Sequence, residues 1–416
     1  MTAAGAGARR LPSAPAAWAI AAFIVGRLVV AASGWAALHI AGAPSPRARL
    51  LADPAFLFHG AAGNLLNPGL SWDGNWFAGI ASRGYDSAES LAFFPLYPYL
   101  VRVTTVIFSS VLVSGIIVSL VCAAAAMVVL YRMVATRYDA RTAAWTIAFL
   151  SLCPTSLFFQ AVYSESLFLL LVVGSLALAE RERWAVGCAV GGLAAMTRNT
   201  GVLLLVPLFL LYAENREWRL SGDQRLKWPR DARLAWLALV PSGLLIYMGY
   251  LKWRVDEPLA FLTVQKAWGR HFDVPVFTLW HGATAAYHSL GATVSRWPAL
   301  AGWLAPGGRG QWMYAMEVVP FVAAVAGIVV LVVAWNRLPA AYNAWTLLVF
   351  VVPLCIPMKD IPLFSLPRFL LLAFPLFVGL ALVTVRLTLL RWVLLVLSVV
   401  LLAWLSASFA LFSWVS

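Results

Sequence analysis

The sequence is poor in charged residues. Only 11% of its 416 residues are charged, whereas 62% are hydrophobic, and the mean hydropathy is +0.84. So few charged side chains cannot cover a normal water-facing surface, which excludes an ordinary soluble protein. Because a bilayer requires each backbone group to be satisfied within its own segment, we predict an all-α, polytopic integral membrane helical bundle.

Cysteine and histidine are also scarce. The four cysteines form no CxxC pair, and none of the five histidines stands at ligand spacing from them. This pattern indicates neither a disulfide framework nor a zinc site. The tripeptide Asp73-Gly74-Asn75 lacks the second carboxylate of a DxD metal motif. We therefore predict catalysis without a metal ion and without a cofactor.

The net charge of +13 is divided among many short loops, so the chain has no basic domain. A nucleic-acid partner would require such a domain. Anionic membrane lipids are the expected partners instead, and we predict no binding of nucleic acid. The richness in Ala, Gly and Arg is typical of a high-GC, actinobacterial source.

About eleven apolar segments are predicted to span the membrane. They are approximately 16–41, 99–131, 143–159, 162–180, 184–197, 199–213, 234–253, 313–335, 340–357, 367–385 and 392–414. The segments beside Pro154 and Arg198 are short, and fit either complete spans or broken helices that line a cavity.

Basic residues of alternate loops fall on one side of the predicted bundle, which we interpret as the cytoplasmic side. They are Arg9, Arg10, Arg132, Arg137, Arg141, Arg181, Arg183, the basic residues within 216–233, Arg337, Arg386 and Arg391. The prediction is one membrane-embedded domain over 1–416, multi-pass in the plasma membrane. Its first extracytoplasmic loop is 42–98, a long second one is 254–312, and the active site lies on that outer face.

The first of these loops carries a carboxylate among aromatic residues, in the run Ser71-Trp72-Asp73-Gly74-Asn75-Trp76-Phe77. Asp73 fits two interpretations, which are compatible with each other. It caps a helix, as Asp commonly does, or it accepts a proton from a hydroxyl nucleophile while aromatic rings contact a sugar.

Two arginines interrupt apolar segments, where each costs roughly 2.5 to 3.5 kcal/mol on insertion. Arg198 is either a phosphate-binding residue or a simple break between spans. Arg27 must face protein or water, with a carboxylate or carbonyl partner. Glu165, at the outer start of a span, either gains from the helix dipole or belongs to the site. Gln160 and Tyr163 either bind sugar or phosphate or are ordinary interfacial residues.

Several motifs together resemble the PIG-V family, which contains the second mannosyltransferase of glycosylphosphatidylinositol assembly and bacterial relatives. The motifs are Trp72-Asp73 with Trp76-Phe77, Ile80-Ala81, Gly84-Tyr85 and Ala92-Phe93-Phe94-Pro95; the run from Phe159 to Phe168; Thr197-Arg198-Asn199-Thr200-Gly201; Pro258-Leu259-Ala260-Phe261 with Gln265 and Trp268-Gly269; and Pro367-Arg368-Phe369.

The resemblance implies a GT-C type glycosyltransferase that uses a polyprenyl-phosphate-mannose donor and inverts the anomeric centre, with its loop acid at Asp73. A phosphate leaving group needs positive charge, for which the candidates are Arg198, Arg368, Arg102 and Lys359. Candidates for contact with sugar or acceptor are Trp72, Trp76, Phe94, Gln160, Tyr163 and Glu165. The acceptor is an unidentified glycolipid, glycan or protein hydroxyl.

A transporter or lipid flippase is the alternative from another class. Polar residues at broken helices would then bind a passing substrate near the bilayer midplane. Such a protein needs no outward-facing acid within reach of an acceptor. A noncatalytic assembly subunit explains the motifs least well.

Overall fold

The computed structural model describes residues 13–41, 54–215, 232–295, 317–413 and 415. Over these residues the chain is helical, apart from turns and an isolated antiparallel β-bridge between Arg270 and Met358. The predicted all-α class is confirmed for this part of the chain. Parts of the two predicted outer loops, 42–53 and 296–312, lie outside the described residues.

The described residues form seventeen α-helices. In chain order they are Ser13–Ala41 (α1), Gly60–Leu66 (α2), Asp73–Arg83 (α3), Leu96–Phe108 (α4), Val111–Arg137 (α5), Ala140–Ser151 (α6), Glu165–Glu180 (α7), Trp184–Thr197 (α8), Leu205–Asn215 (α9), Ser242–Val255 (α10), Ala260–Thr263 (α11), Pro275–Ser295 (α12), Val318–Ala334 (α13), Ala340–Cys355 (α14), Leu366–Leu370 (α15), Phe374–Val383 (α16) and Thr388–Ala410 (α17).

Short 3₁₀ segments complete the helical structure. They are Pro54–Phe56, Asn67–Leu70, Glu89–Ala92, Ser156–Phe159, Asn199–Leu204, Ala232–Leu239, Val264–Trp268 and Trp335–Arg337. Two of them, Ser156–Phe159 and Asn199–Leu204, follow Pro154 and Arg198. The helices are therefore broken near Pro154 and Arg198, where the sequence fitted either a complete span or a broken helix.

Five helical segments are long and apolar enough to cross a bilayer. They are Ala14–Ile40, Val111–Arg137, Arg233–Val255, Val318–Arg337 and Thr388–Ala410. Further apolar helices of 10–17 residues lie between them, such as Trp184–Thr197 and Ala340–Cys355. By these helices the chain is a multi-pass membrane protein, and the number of eleven spans stays a prediction.

The single span predicted over 99–131 is wrong. The chain forms two helices there, because Ser109 takes a left-handed conformation with φ 55° and ends α4. The Ser110 hydroxyl then accepts a hydrogen bond from the Val113 N–H (3.4 Å) and begins α5. Serine caps a helix in this way when its side chain satisfies an otherwise unpaired N–H group. Apolar composition on both sides hides such a break.

Helix α7 lies in the centre of the bundle, packed against α5, α8 and α9. Its sequence is apolar on every side, and most of its residues are buried, as expected for a helix surrounded by others. Because an α-helix rises about 1.5 Å per residue, its 16 residues separate its two ends by about 22 Å. Each end carries a cluster of charged side chains.

The cluster at the carboxyl end of α7 joins loops that we predicted to be cytoplasmic. Arg137 pairs with Glu214 (3.1 Å) and with Glu180 (3.7 Å), which also accepts a hydrogen bond from Tyr342 (2.7 Å). The Tyr138 hydroxyl donates to the carbonyl of Arg337 (2.8 Å). The basic loops thus meet at one end of the bundle, and Glu165 lies at the other.

Arg27 on α1 binds backbone carbonyls, as we expect for an arginine within an apolar segment. Its guanidinium donates to the carbonyls of Ser156 (2.7 Å) and Ser151 (3.2 Å) and to the Ser156 hydroxyl (3.0 Å). These bonds attach α1 to the chain that leaves α6. The expectation for Arg27 is confirmed, and its role is structural.

Candidate active site

A cavity of about 570 Å³ opens at the amino-terminal end of α7. Its size is in the range of small-molecule sites, which are mostly apolar with a few placed polar groups. The charged residues in its wall are Asp73, Arg83, Arg198, Arg270 and Arg368. Its aromatic lining includes Trp72, Trp76, Phe93, Phe94, Trp268 and Phe364.

Asp73 is held by a turn with unusual backbone geometry. The residue before it, Trp72, has φ 58° and ψ −118°, which L-residues rarely adopt. The buried Tyr163 hydroxyl accepts a hydrogen bond from the Asp73 N–H (3.1 Å) and donates one to the carbonyl of Ser71 (2.9 Å). Tyr163 thus fastens both sides of the strained residue, and strain that is held in this way is typical of functional sites.

Gly74 allows this turn to pack closely. A Cβ atom at Gly74 would stand 2.6 Å from the carbonyl oxygen of Gly69, and that oxygen also accepts a hydrogen bond from the Val162 N–H (2.9 Å). No side chain fits such an approach between backbones. Gly74 therefore allows the start of α3 to pack closely against the backbone of Gly69.

The Asp73 side chain does not cap α3. Asp73 is the first residue of that helix, and its Oδ2 accepts a hydrogen bond from Arg368 Nη1 (2.5 Å). The Asp73 carboxylate is about a quarter exposed, whereas the arginine side chain is almost completely buried. The carboxylate is thus oriented by a buried arginine while part of its surface faces the cavity.

Arg368 belongs to the short helix α15, which also begins after a left-handed residue, Ser365 with φ 66°. Besides Asp73, the guanidinium contacts Glu165, whose Oε1 accepts a hydrogen bond from Nε. The guanidinium also lies over the ring of Tyr163, 4.6 Å from its centroid. One arginine therefore connects the two acids and the tyrosine of this region.

Glu165 is fully buried and binds a second arginine. Arg198 Nη1 donates to Glu165 Oε1 (2.6 Å) and to the Ser164 hydroxyl (3.3 Å). Arg198 reaches this position because α8 ends at Thr197 and the next residue is extended, with φ −154°. The break in the apolar segment thus brings a cation to the buried acid. The sequence left two interpretations of Glu165 open, a helix start and a contact with site residues. In the structure Glu165 begins α7 and also binds arginines of the cavity wall.

Arg270 lies in the cavity wall and was missed by the sequence reasoning. Its Nη1 donates to the carbonyl of Ile356 (3.0 Å), and its guanidinium lies 5.9 Å from the centroid of the Phe364 ring. The β-bridge to Met358 and the bond from the Lys359 N–H to the Gly269 carbonyl (3.1 Å) fold the segment inward. The only signal was its place directly after the Trp268-Gly269 motif, since an arginine in a long loop is otherwise unremarkable.

The surroundings of Arg270 affect its protonation. Burial lowers the pKa of its guanidinium from the ordinary value, and the Asp73 carboxylate opposes that shift. Arginine nevertheless stays protonated at any physiological pH. The cavity wall therefore contains a permanent positive charge that interacts with the Asp73 carboxylate.

Aromatic contacts also hold parts of the cavity wall together. Trp76 stacks on Phe93, with ring centroids 5.8 Å apart, and Phe93 meets the edge of Trp268 at 6.0 Å. Phe94 packs against Tyr247 (4.7 Å), whose hydroxyl donates to the Leu91 carbonyl (2.8 Å). These contacts tie the first outer loop to the segment that carries Arg270.

The structure sorts the predicted site residues into three groups. Six line the cavity: Asp73, Trp72, Trp76, Phe94, Arg198 and Arg368. Two, Tyr163 and Glu165, are buried behind its wall, where they bind the turn before α3 and the two arginines. Three, Gln160, Arg102 and Lys359, lie elsewhere.

The positions of these three residues correct the expected arrangement of the site. Gln160 borders a separate crevice of about 40 Å³ between α1, α5 and α17. Arg102 is exposed on α4, because Tyr97, Pro98 and Val101 supply the buried face of that helix. Lys359 turns its side chain to the outside while its backbone bonds to Gly269.

The arrangement joins a partly exposed carboxylate, a set of guanidinium groups and flat aromatic surfaces around one space. A carboxylate suits proton transfer from a hydroxyl, whereas guanidinium groups suit the binding of phosphate oxygens. The described residues contain no group of three His, Cys, Asp or Glu side chains that is placed to hold a metal ion.

Comparison with known proteins gives a family for the part of the chain around Asp73. Residues 35–211 match the family model described as Mannosyltransferase (PIG-V). GPI mannosyltransferase 2 of Drosophila pseudoobscura pseudoobscura is 31% identical over 109 residues, which are 23% of this chain and 24% of the fly protein. GPI alpha-1,6-mannosyltransferase 2 of Mus musculus is 28% identical over 227 residues, 48% of this chain and 45% of the mouse protein.

The chain thus spans less than half the length of either curated relative. The family match includes the turn at Asp73, the start of α7 and the break at Arg198, and it ends before Arg270 and Arg368. The motifs at 72–95, 159–168 and 197–201 lie within the match, whereas those at 258–269 and 367–369 lie beyond it. Residues 35–211 are therefore similar to the PIG-V mannosyltransferases, and the chain is distantly similar to GPI mannosyltransferase 2.

Proposed function

We propose that this chain transfers mannose from polyprenyl-phosphate-mannose to a hydroxyl group of a glycolipid or glycan on the extracytoplasmic side of the membrane. The observation that carries the proposal is the Asp73 carboxylate, oriented by Arg368 in a cavity that also contains further guanidinium groups and aromatic rings. The family match to residues 35–211 supports the choice of mannose.

In the proposed reaction Asp73 is the general base. It takes the proton of the acceptor hydroxyl, whose oxygen forms a bond to the anomeric carbon of mannose. The bond from that carbon to the phosphate oxygen breaks, and its electron pair leaves with polyprenyl phosphate. A single displacement of this kind inverts the anomeric centre, so a β-linked donor gives an α-mannoside.

Arg368 and Arg198 support this step through charge. Arg368 fixes the direction of the Asp73 carboxylate, and a base must stand within hydrogen-bond reach of the proton that it accepts. Both guanidinium groups also add positive potential to the wall where phosphate charge develops. Trp72, Trp76 and Phe94 supply the flat apolar surfaces against which a pyranose ring packs.

The test is mannose transfer by Asp73→Asn. We expect the variant to bind donor but to transfer mannose about 10²- to 10⁴-fold more slowly, the usual contribution of general base catalysis. Transfer is measured in membranes with radiolabelled polyprenyl-phosphate-mannose, and the anomeric configuration of the product is read by NMR. Asp256→Asn is the matched control, because Asp256 is exposed at the end of α10 and outside the cavity wall.

Three results would contradict the proposal. Equal transfer by the parent and Asp73→Asn would remove the assigned base. A β-linked product from a β-linked donor would exclude single displacement. Movement of the intact donor across a bilayer by the parent, with no transfer to any acceptor, would favour the flippase alternative.

A further inference from the structure

We propose that Arg270, which lines the same cavity as Asp73, is the residue that binds the phosphate of the donor directly. The inference rests on the proposed function, since it names the residue that receives the leaving group. Arg368 and Arg198 then add positive potential without contact to the phosphate, and they hold the carboxylates of Asp73 and Glu165 in place.

The pairing of charges separates Arg270 from the other arginines in the wall. Arg83 pairs with Asp86 (2.8 Å), Arg198 pairs with Glu165, and Arg368 pairs with both Glu165 and Asp73. Arg270 forms no ion pair with any carboxylate among the described residues. The three inner arginines, Arg198, Arg270 and Arg368, face two acids, so one positive charge of this group is left for an anion to balance.

The hydrogen bonds of Arg270 leave part of its guanidinium open. Nη1 is bonded to the Ile356 carbonyl, whereas the other two nitrogens have no partner in the part of the chain that the structure describes. Those nitrogens are not enclosed by protein, unlike Arg27 Nε and Arg391 Nε. Because Arg270 lines the cavity, its free N–H groups are available to a ligand there. Two neighbouring N–H groups of arginine match two phosphate oxygens.

The position of Arg270 is also rigid. The β-bridge to Met358 holds its backbone, the Ile356 carbonyl holds one nitrogen, and the ring of Phe364 lies beside the guanidinium. A hydrogen-bond donor that is already oriented loses less conformational freedom when it binds a ligand. Arg270 is thus prepared for an anion before any anion arrives.

The chemistry of the step gives Arg270 its effect on rate. The donor phosphate is a diester with one negative charge, and it leaves as a monoester with a second negative charge when the bond to the sugar breaks. A cation in contact with that phosphate therefore binds the transition state more tightly than the bound donor. Removal of the cation is expected to lower kcat as well as donor affinity.

The experiment measures binding of farnesyl phosphate and of farnesol to the full chain in nanodiscs, for the parent and for Arg270→Gln. We expect farnesyl phosphate to bind Arg270→Gln about 10- to 100-fold more weakly, as for the loss of a charge-assisted hydrogen bond. Farnesol binding should stay the same, because the polyprenyl part does not contact Arg270. Arg254→Gln, the same substitution at an exposed arginine outside the cavity wall, should bind both compounds like the parent.

A second variant guards against loss of fold. Arg270→Lys keeps the charge without the fork of two N–H groups, and it should recover part of the preference for phosphate over alcohol. Equal preference in the parent and in Arg270→Gln, with mannose transfer intact in the parent, would overturn the role of Arg270 and leave the proposed function standing. A parent that neither prefers farnesyl phosphate over farnesol nor transfers mannose would overturn the proposed function itself.

Discussion

Glu165 is the residue on which two arginines of the cavity wall depend. One carboxylate oxygen accepts hydrogen bonds from both Arg198 and Arg368, and the side chain is completely buried. A buried acid is costly to desolvate, and the cost is offset only while its partners are in contact with it. Glu165 thereby determines where Arg368 lies, and Arg368 in turn determines where the Asp73 carboxylate points.

We predict that Glu165→Gln destabilises the protein by about 3–5 kcal/mol, the usual effect of removing one member of a buried ion pair. The two guanidinium groups would repel each other without the charge between them. Mannose transfer should fall together with the apparent melting temperature in detergent. Glu182→Gln is the control, because its pair with Arg233 is exposed on both sides and such pairs contribute little. Equal melting of the two variants would contradict this role.

Tyr163 lies behind the cavity wall and supports it through both its hydroxyl and its ring. Its hydroxyl is used by Asp73 and Ser71, and its ring lies under Arg368. The sequence motif placed it among the candidates for contact with sugar or acceptor. Whether the hydroxyl faces sugar or backbone depends on contacts with residues about ninety positions away, which no local pattern records.

At the scale of elements, two short helices carry the proposed base and the arginine that orients it. Helices α3 and α15 carry Asp73 and Arg368, and each begins directly after a residue with positive φ. Such residues turn the chain sharply, so that the first turn of the helix points into the cavity. Their conformation costs free energy that the surrounding contacts must offset. The close seating of α3 at Gly74 is one of these contacts.

We predict that Gly74→Ala lowers mannose transfer by about 10²-fold without unfolding the chain, since small displacements of catalytic groups have effects of this size. The added methyl group would push the start of α3 away from Gly69 and move Asp73 with it. Gly79→Ala on the same helix is the matched control, because its Cβ would meet only the flexible end of the Arg83 side chain. Alanine is a better helix former than glycine at both positions, so helix propensity does not distinguish the two variants. Equal mannose transfer by the two variants would contradict the role of close packing at Gly74.

At the scale of the whole molecule, α7 connects two charged ends. Its first residue, Glu165, is buried behind the cavity wall and pairs with Arg198, and its last, Glu180, belongs to the cluster that joins the basic loops. The predicted cytoplasmic loops and the candidate site therefore lie at opposite ends of the bundle. The rule that basic loops stay in the cytoplasm supports the proposal that the cavity opens on the outer face.

We predict that single cysteines at these two ends react from opposite sides of the membrane. Ala88→Cys, near the cavity, should react with a membrane-impermeant maleimide in intact cells. Arg181→Cys, in the turn after α7, should react only after the membrane is opened. Both positions are exposed, and the parent measures the background from its four free cysteines. Labelling of Arg181→Cys alone in intact cells would reverse the proposed orientation.

The sequence by itself determined the helical membrane class, marked Pro154 and Arg198 as places where a span or a broken helix fits, and singled out the acid of the first outer loop. Composition and local motifs are sufficient for these, because hydropathy and turn chemistry act between near neighbours. Only the tertiary structure decided which arginine is free to bind an anion. Arg368 meets Asp73 across 295 positions and Glu165 across 203. Ion pairs between such distant residues form only when the helices pack, so Arg270 was recognisable as unpaired only in the folded chain.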